Sequence, residues 1–303
     1  MQMDVRRRCL GAHYLNQRGS EAVLRGRLRQ FVRRLHKAAP VGFDVQGMPT
    51  GSQVGQGESS MATLARPIVL TPDVFYDYLL IIDLEATCEE NVGGGYREFP
   101  HEIIEFPVML YDTRQRKCVA IFHSYCRPMH QPTLSTFCTQ LTQISQSQVD
   151  GAMQFPVLLY HLEMWLFAQN GLGDKRCVVV CDCAFDMATF MRLQCHFSQL
   201  PVPGWATQWV NLSCAFHSFY CLPPQRKATL ARMLEDMDLG FVGQHHNGLD
   251  DATNILRVVQ IMLADGCQLR VNQRLEPQRA PFYTAPIARP VADACIFMQG
   301  YRR

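Results

Sequence analysis

Apolar and polar positions switch between a period of two and a period of three to four along this chain, and the switches outline one α/β region over residues 74–275. Tyr78-Leu79-Leu80-Ile81-Ile82 is a continuous apolar run of strand length, which predicts a central strand buried on both faces. Glu102–Tyr111 has the apolar density of a second strand, and Cys118–Tyr125 alternates as a third. The short loop between these two fits an antiparallel hairpin. Ile144–Val149 opens a helical region with Ser145 as its N-cap, and Phe155–Phe167 continues at helical spacing until Gly171 and Gly173. Arg176–Cys181 is another short apolar strand, followed by helical spacing at Phe185, Met187, Phe190, Met191 and Leu193. Trp209–Leu212 reads as a last strand and Leu230–Leu239 as a helix stopped by Gly240. A final helix reaches Leu263 and closes at Gly266, with Ala252, Ile255, Leu256, Val259, Met262 and Leu263 as its buried stripe.

The flanks read differently. Residues 1–70 form a basic leader: up to Arg66 there are ten Arg and one Lys against Asp4, Glu21, Asp44 and Glu58. Gly, Ser and Gln around Gly47–Ser60 describe a flexible linker, and Asn91–Tyr96 is a loop without a phosphate-binding pattern. Ala22–His36 has the spacing of a basic amphipathic helix, through Val23, Leu24, Leu28, Phe31, Val32 and Leu35. A mostly disordered leader is nevertheless the expectation. Its composition fits a mitochondrial transit peptide or a basic arm that engages nucleic acid. The tail, residues 276–303, is rich in Pro and Ala and is expected to pack little.

The whole chain of 303 residues is 48% apolar and 18% charged, ample for a core, and its net charge of +2 does not by itself call for a polyanionic partner. Thirteen cysteines without regular spacing, and no secretory signal, predict free thiols in a reducing compartment. No apolar run has the length of a membrane span, so a soluble protein is expected.

Candidate chemistry sits where apolar runs break into acids. Asp83 and Glu85 follow the first strand, and period-two geometry puts both on one side of the sheet. Two ionised carboxylates this close repel, and a divalent ion with oxygen ligands relieves them. Asp186, with Asp182 as competitor, follows the Arg176–Cys181 strand, and Asp250 and Asp251 open the last helix. Each of these is also explained as an acid in a first helical turn. His245 and His246 stand just upstream of the last pair. Four acids can hold two divalent ions, and a histidine titrating near neutrality can accept a proton beside them. Cys177, Cys181, Cys183, Cys195 and His196 do not have the spacing of a structural zinc site and read as core thiols.

Taken together the motifs resemble the DEDDh (DnaQ-like) 3′→5′ exonucleases, and within them the Eri-like exoribonucleases related to the histone-mRNA 3′-exonuclease. The resemblance is carried by Ile81-Ile82-Asp83-Leu84-Glu85-Ala86-Thr87-Cys88, by Phe99–Pro107, by Phe137–Ile144, by Phe185-Asp186-Met187 with Phe190, and by His246-Asn247-Gly248-Leu249-Asp250-Asp251 with Asn254-Ile255. It runs on to Arg270 and covers about two-thirds of the chain. It implies an RNase H-like fold, a mixed central sheet flanked by helices. Asp83, Glu85, Asp186 and Asp251 are then metal ligands for two Mg²⁺, with Mn²⁺ as substitute, and His246 is the general base. Asp251 and His246 are preferred to Asp250 and His245 because the family's third motif has a five-residue step between base and ligand. Leu84, between the two first-motif ligands, is a candidate contact to the terminal nucleotide and equally a core leucine at a strand end, and Phe185, which replaces the tryptophan of close relatives, bears on how that nucleotide packs.

The resemblance further implies an enzyme that releases nucleoside 5′-monophosphates from RNA with a single-stranded 3′ end, in processing or turnover of structured or small RNA. Cytoplasm and nucleus fit the family, and the Arg-rich leader adds the mitochondrion. No protein partner is implied. A DNA-directed exonuclease and a non-catalytic RNA-binding scaffold on the same fold are the alternatives.

Overall fold

In the computed structural model, which describes residues 16–38, 75–90, 99–169 and 176–276 with a few positions among residues 3–11 and the pair 289–290, one mixed sheet organises the chain. Its strands are β1 (Tyr78–Ile82), β2 (Glu85–Ala86), β3 (Ile103–Asp112), β4 (Lys117–Arg127), β5 (Met153–Gln154), β6 (Cys177–Cys181), β7 (Gln208–Asn211), β8 (Gln273–Arg274) and β9 (Arg289–Pro290). The helices are α1 (Glu21–Ala38), α2 (Thr136–Thr142), α3 (Gln146–Asp150), α4 (Phe155–Ala168), α5 (Arg192–Phe197), α6 (Leu212–Tyr220), α7 (Leu230–Asp236) and α8 (Gly248–Ala264), with a π-helical turn over Asp186–Met191. The order across the sheet is β5-β4-β3-β1-β6-β7-β8-β9, with β2 on β3. β1 pairs antiparallel with β3 and parallel with β6, so the expected hairpin and the two apolar strands meet at the centre. The linker at Gly47–Ser60, the loop at Asn91–Tyr96, Gly171, Gly173 and most of the tail lie outside the described residues.

Alternation along β1 divides the core. Leu79 and Ile81 join Met109, Val178 and Val180 beneath α6, α7 and α8. Leu80 and Ile82 join Val108, Leu110 and Val179 beneath α4, the π-helical turn and α5. Full burial of such side chains contributes about 1.5–3 kcal/mol each, which sets the register, because a one-residue slip would exchange the two faces.

Several expectations are revised. Asn211 ends β7 and immediately caps α6, its side chain accepting from the Cys214 N–H at 3.0 Å, so a helix follows where no turn signal announced one. β7 is not the last strand, because β8 returns alongside it. α7 stops at Asp236 rather than Gly240; Asp238 takes φ 61°, a left-handed conformation that Asp tolerates better than most residues.

Within the leader, Glu21–Ala38 forms α1, a helix docked on the domain that matches the amphipathic spacing of Ala22–His36, while residues 39–74 lie outside the described residues. Val23 and Leu24 are fully buried, and Arg27 is buried with them. Its Nε donates to Asp265 Oδ2 at 2.6 Å, and the Tyr220 hydroxyl donates to the same oxygen at 2.6 Å. The Arg27 guanidinium also donates to the Arg18 carbonyl. Arg27→Ala leaves the Asp265 carboxylate buried without its cation, an expected loss of about 3–5 kcal/mol. A urea melt checks this; an unchanged midpoint would mean that the docking contributes nothing.

Candidate active site

The alternation of β1 continues past its end. Leu80, Ile82, Leu84 and Ala86 all enter the core on the α4 side, so Asp83 and Glu85 face the α8 side, as the period of two requires. Glu85 reaches this position through β2, which pairs with β3 across a register shift. Asp251 comes from the first turn of α8. Oxygens of Asp83, Glu85 and Asp251 lie within 4.8 Å of one another. Asp186 opens the π-helical turn, and its Oδ1 accepts from the Leu84 N–H at 2.8 Å, which pins it beside the same strand end. Asp182, Cys183 and Asp186 form a second group of potential ligand atoms within 4.8 Å. Among the described residues, no ion pair reaches Asp83, Glu85, Asp186 or Asp251.

The N-terminus of α8 is fastened to the sheet at close range. A Cβ on Gly248 would meet the Asp83 carbonyl oxygen at 2.7 Å, so this contact requires glycine. The Gly248 N–H donates to Glu105 Oε2 at 2.9 Å, and His123 Nε2 lies 2.7 Å from Glu105 Oε1. Asn247 caps α8, its side chain accepting from the Asp250 N–H at 3.1 Å. Asn254, fully buried, receives the Val242 N–H at 3.1 Å and donates to the Val242 carbonyl at 2.8 Å, holding the loop before the helix. In that loop His246 has φ 62°, and its backbone N–H donates to Asp251 Oδ2 at 2.7 Å. This bond fixes the backbone of His246 beside Asp251, at the edge of the acid cluster. His245 is otherwise engaged, its ring 3.6 Å from that of Phe241.

Burial with like charges nearby raises all four acids. Desolvation, then Asp186, Asp182, Glu85 and Asp251, push Asp83 well above the usual carboxylate range. Glu85 rises likewise through desolvation, then Asp251 and Glu105. Desolvation and then Asp182 carry Asp186 to about 8, although the Leu84 N–H opposes the shift. Asp251 reaches about 7 through desolvation, against the lowering effect of the His246 N–H. Partial desolvation of its imidazole, then His245, lowers His246 from 6.5.

These shifts have a definite sign. Unfolded Asp titrates at 3.8, so between about pH 4 and pH 8 the folded chain binds more protons than the unfolded one, and stability falls as pH rises. An oxygen-only donor set that repels itself when ionised fits a hard divalent cation, which binds the deprotonated form. Divalent ion at 100 times its Kd should therefore raise the melting temperature by roughly 5–10 °C at pH 8. At pH 5 the gain should be small. Thermal melts in Mg²⁺, Mn²⁺ and EDTA at the two pH values read this directly; an equal gain at both would contradict it.

The structure brings Asp83, Glu85, Asp186 and Asp251 to one place with His246 at its edge. Asp250 turns aside to accept the Gln244 N–H at 2.9 Å. Leu84 takes the core alternative: it is 3% exposed and packs opposite to Asp83 and Glu85. What Leu84 offers the site is its N–H. Phe185 is half-buried, 6.0 Å from the Phe190 ring, and stays at the surface beside Asp186. Cys181 and Cys195 are buried free thiols, while Cys183 lies by Asp186. Glu105, Gly248 and Asn254 lie within the quoted motifs, yet their roles come from contacts between distant elements. A charged residue inside the fully buried β3 was the available signal for Glu105.

Comparison with known proteins agrees with this geometry. Residues 80–259 match the family model described as Exonuclease, of the RNase T type. The chain is 43% identical to 3'-5' exoribonuclease 1 of Rattus norvegicus over 205 residues, which cover 67% of this chain and 58% of the relative. It is 33% identical to 3'-5' exonuclease eri1 of Schizosaccharomyces pombe over 217 residues, 65% of this chain and 71% of the relative. Among solved structures, the nuclease domain of 3'hExo, a DEDDh family member bound to rAMP, superposes with a TM-score of 0.63 at 40% identity, covering 66% of this chain and 98% of that one. A structure of 3′-end recognition of histone mRNA stem-loop by a 3′-exonuclease gives 0.63 at 37% identity, covering 71% and 95%. The chain spans about 58% of the length of 3'-5' exoribonuclease 1 of Rattus norvegicus and of Mus musculus. With the family model covering more than half of the chain and the acid cluster built as described, the protein belongs to the exonuclease family, in its Eri-like DEDDh branch.

Proposed function

We propose that this protein is a divalent-metal-dependent 3′→5′ exoribonuclease that releases nucleoside 5′-monophosphates from single-stranded RNA 3′ ends. The observation that carries the proposal is the convergence of Asp83, Glu85 and Asp251, with oxygens within 4.8 Å and no cation paired to them among the described residues, beside Asp186. Two Mg²⁺, or Mn²⁺ in their place, are the ions such a donor set would take. When bound, they supply Lewis acidity and offset the charge that develops on the phosphate.

The chain's own residues do the rest. Asp83, Glu85, Asp186 and Asp251 would hold the ions, and their mutual repulsion favours a divalent ion among them. Glu105 and Gly248 fix α8, and so Asp251, against β1. His246 accepts the proton of the attacking water at an imidazole nitrogen, a task its lowered pKa suits by keeping the ring neutral near pH 7. Phe185 is the surface on which the terminal base stacks.

RNA as substrate, and structured or small RNA in particular, is supported by the exoribonuclease relatives and the histone mRNA stem-loop structure. Action in the cytoplasm or nucleus suits RNA turnover and free thiols. Among the described residues no helix is long and apolar enough to cross a membrane. Because Arg27 of α1 pairs with Asp265, cleavage beyond α1 would cost the domain that contact.

Matched 5′-labelled RNA and DNA oligomers test the reading. Stepwise shortening of RNA from its 3′ end, abolished by EDTA, is expected, with slower loss of DNA. Preferred cleavage of DNA would make this a DNA exonuclease; RNA binding without cleavage in either metal would make it a scaffold.

A further inference from the structure

α4 carries a second surface that the nuclease chemistry does not use. Leu158, Leu159 and Leu162 face the sheet, as a packed helix requires. The opposite face is apolar too: Val157, Tyr160, Met164 and Phe167 are 48%, 61%, 47% and 84% exposed. Glu163 is the one formally charged residue in this 14-residue helix. A solvent-facing helix normally shows charge there, so this face is built for contact.

The spacing identifies the occupant. Val157, Tyr160, Met164 and Phe167 follow steps of three, four and three, the seam that pairs helices by knobs into holes. The stripe is symmetric about Leu162. Two copies laid antiparallel across a two-fold axis at that point set small Val157 against large Phe167 of the other copy, and Tyr160 against Met164. Each pairing therefore sums to a similar volume, which a self-complementary interface requires.

We infer that the protein forms a two-fold homodimer through antiparallel pairing of its α4 helices. Tyr160 and Phe167 alone expose roughly 220–360 Å² per copy, at about 150–250 Å² for a bare aromatic side chain. Two copies, with Val157, Met164 and the exposed flanks at Pro156, His161, Glu163 and Ala168 added, approach the roughly 1,200 Å² at the lower end of specific interfaces.

Light scattering on size-exclusion fractions, across micromolar concentrations, reads the mass directly. The parent chain is expected to run as a dimer. Phe167→Glu and Val157→Lys, each at an exposed position, should raise the dimer dissociation constant at least about tenfold, about 1.4 kcal/mol. RNA cleavage should stay unchanged, and thermal unfolding should fall only by the small, concentration-dependent amount that loss of the dimer costs. The double variant sets the introduced lysine of one copy beside the introduced glutamate of the other in the antiparallel arrangement only, and should recover dimer. A monomer at every concentration, a dimer indifferent to Phe167→Glu, or a double variant no better than the singles would overturn the inference.

Discussion

Asp83→Asn is expected to lower RNA hydrolysis by about 10³–10⁵ while making the metal-free protein more stable. The two effects have one cause. Asp83 is the acid most surrounded by others, with Asp186, Asp182, Glu85 and Asp251 all raising its pKa after desolvation. On the proposed function, neutralising it removes a divalent-ion ligand, worth several kcal/mol of transition-state stabilisation, and each 1.36 kcal/mol is a factor of about ten in rate. The same change relieves like-charge repulsion, so in EDTA at pH 8 the variant should melt above the parent. Single-turnover cleavage in Mg²⁺ and a thermal melt in EDTA measure the two halves. A variant that keeps more than a tenth of the parental rate would show that Asp83 is not a ligand. A variant that loses both activity and stability would show only a folding defect.

His246→Asn is expected to reduce kcat by about 10²–10⁴ at saturating metal. Asparagine is the informative replacement here. His246 sits at φ 62°, a conformation Asn accepts, so the N–H that donates to Asp251 Oδ2 stays in place. The proton acceptor alone is lost. In the parent, activity should rise with pH through the lowered pKa of His246, with an acid limb below the ordinary imidazole value of 6.5. That limb should vanish in His246→Asn. A variant with near-parental kcat and the same pH profile would move the base to another group.

The strand-and-acid runs are legible in the sequence because their signal is local. An apolar run that breaks into Asp83-x-Glu85 forces both carboxylates to one side, and the structure keeps that alternation through Ala86. The hairpin of β3 and β4 and the capped α3 follow from equally local cues; Ser145 and Gln148 form the reciprocal cap. Features made by distant pairs are not legible in this way. Arg27 looks like any other base in the leader until Asp265, 238 positions away, is placed beside it. Leu84 shows two local cues in competition: its position between two acids suggests a substrate contact, while the alternation that aims the acids outward buries it. The π-helical turn that begins at Asp186 has no sequence cue, and α6 follows β7 too closely to leave a boundary.

A two-ion site at the acid cluster would show itself in Mn²⁺ binding in the presence of adenosine 5′-monophosphate. Titration followed by the electron paramagnetic resonance of free Mn²⁺ should give two ions per chain at pH 8, weakened as pH falls through 7. Asp251→Asn, at a residue whose pKa stands at about 7, should remove at least one of them. Two ions retained in Asp251→Asn, or no binding in the parent chain at pH 8, would contradict the account.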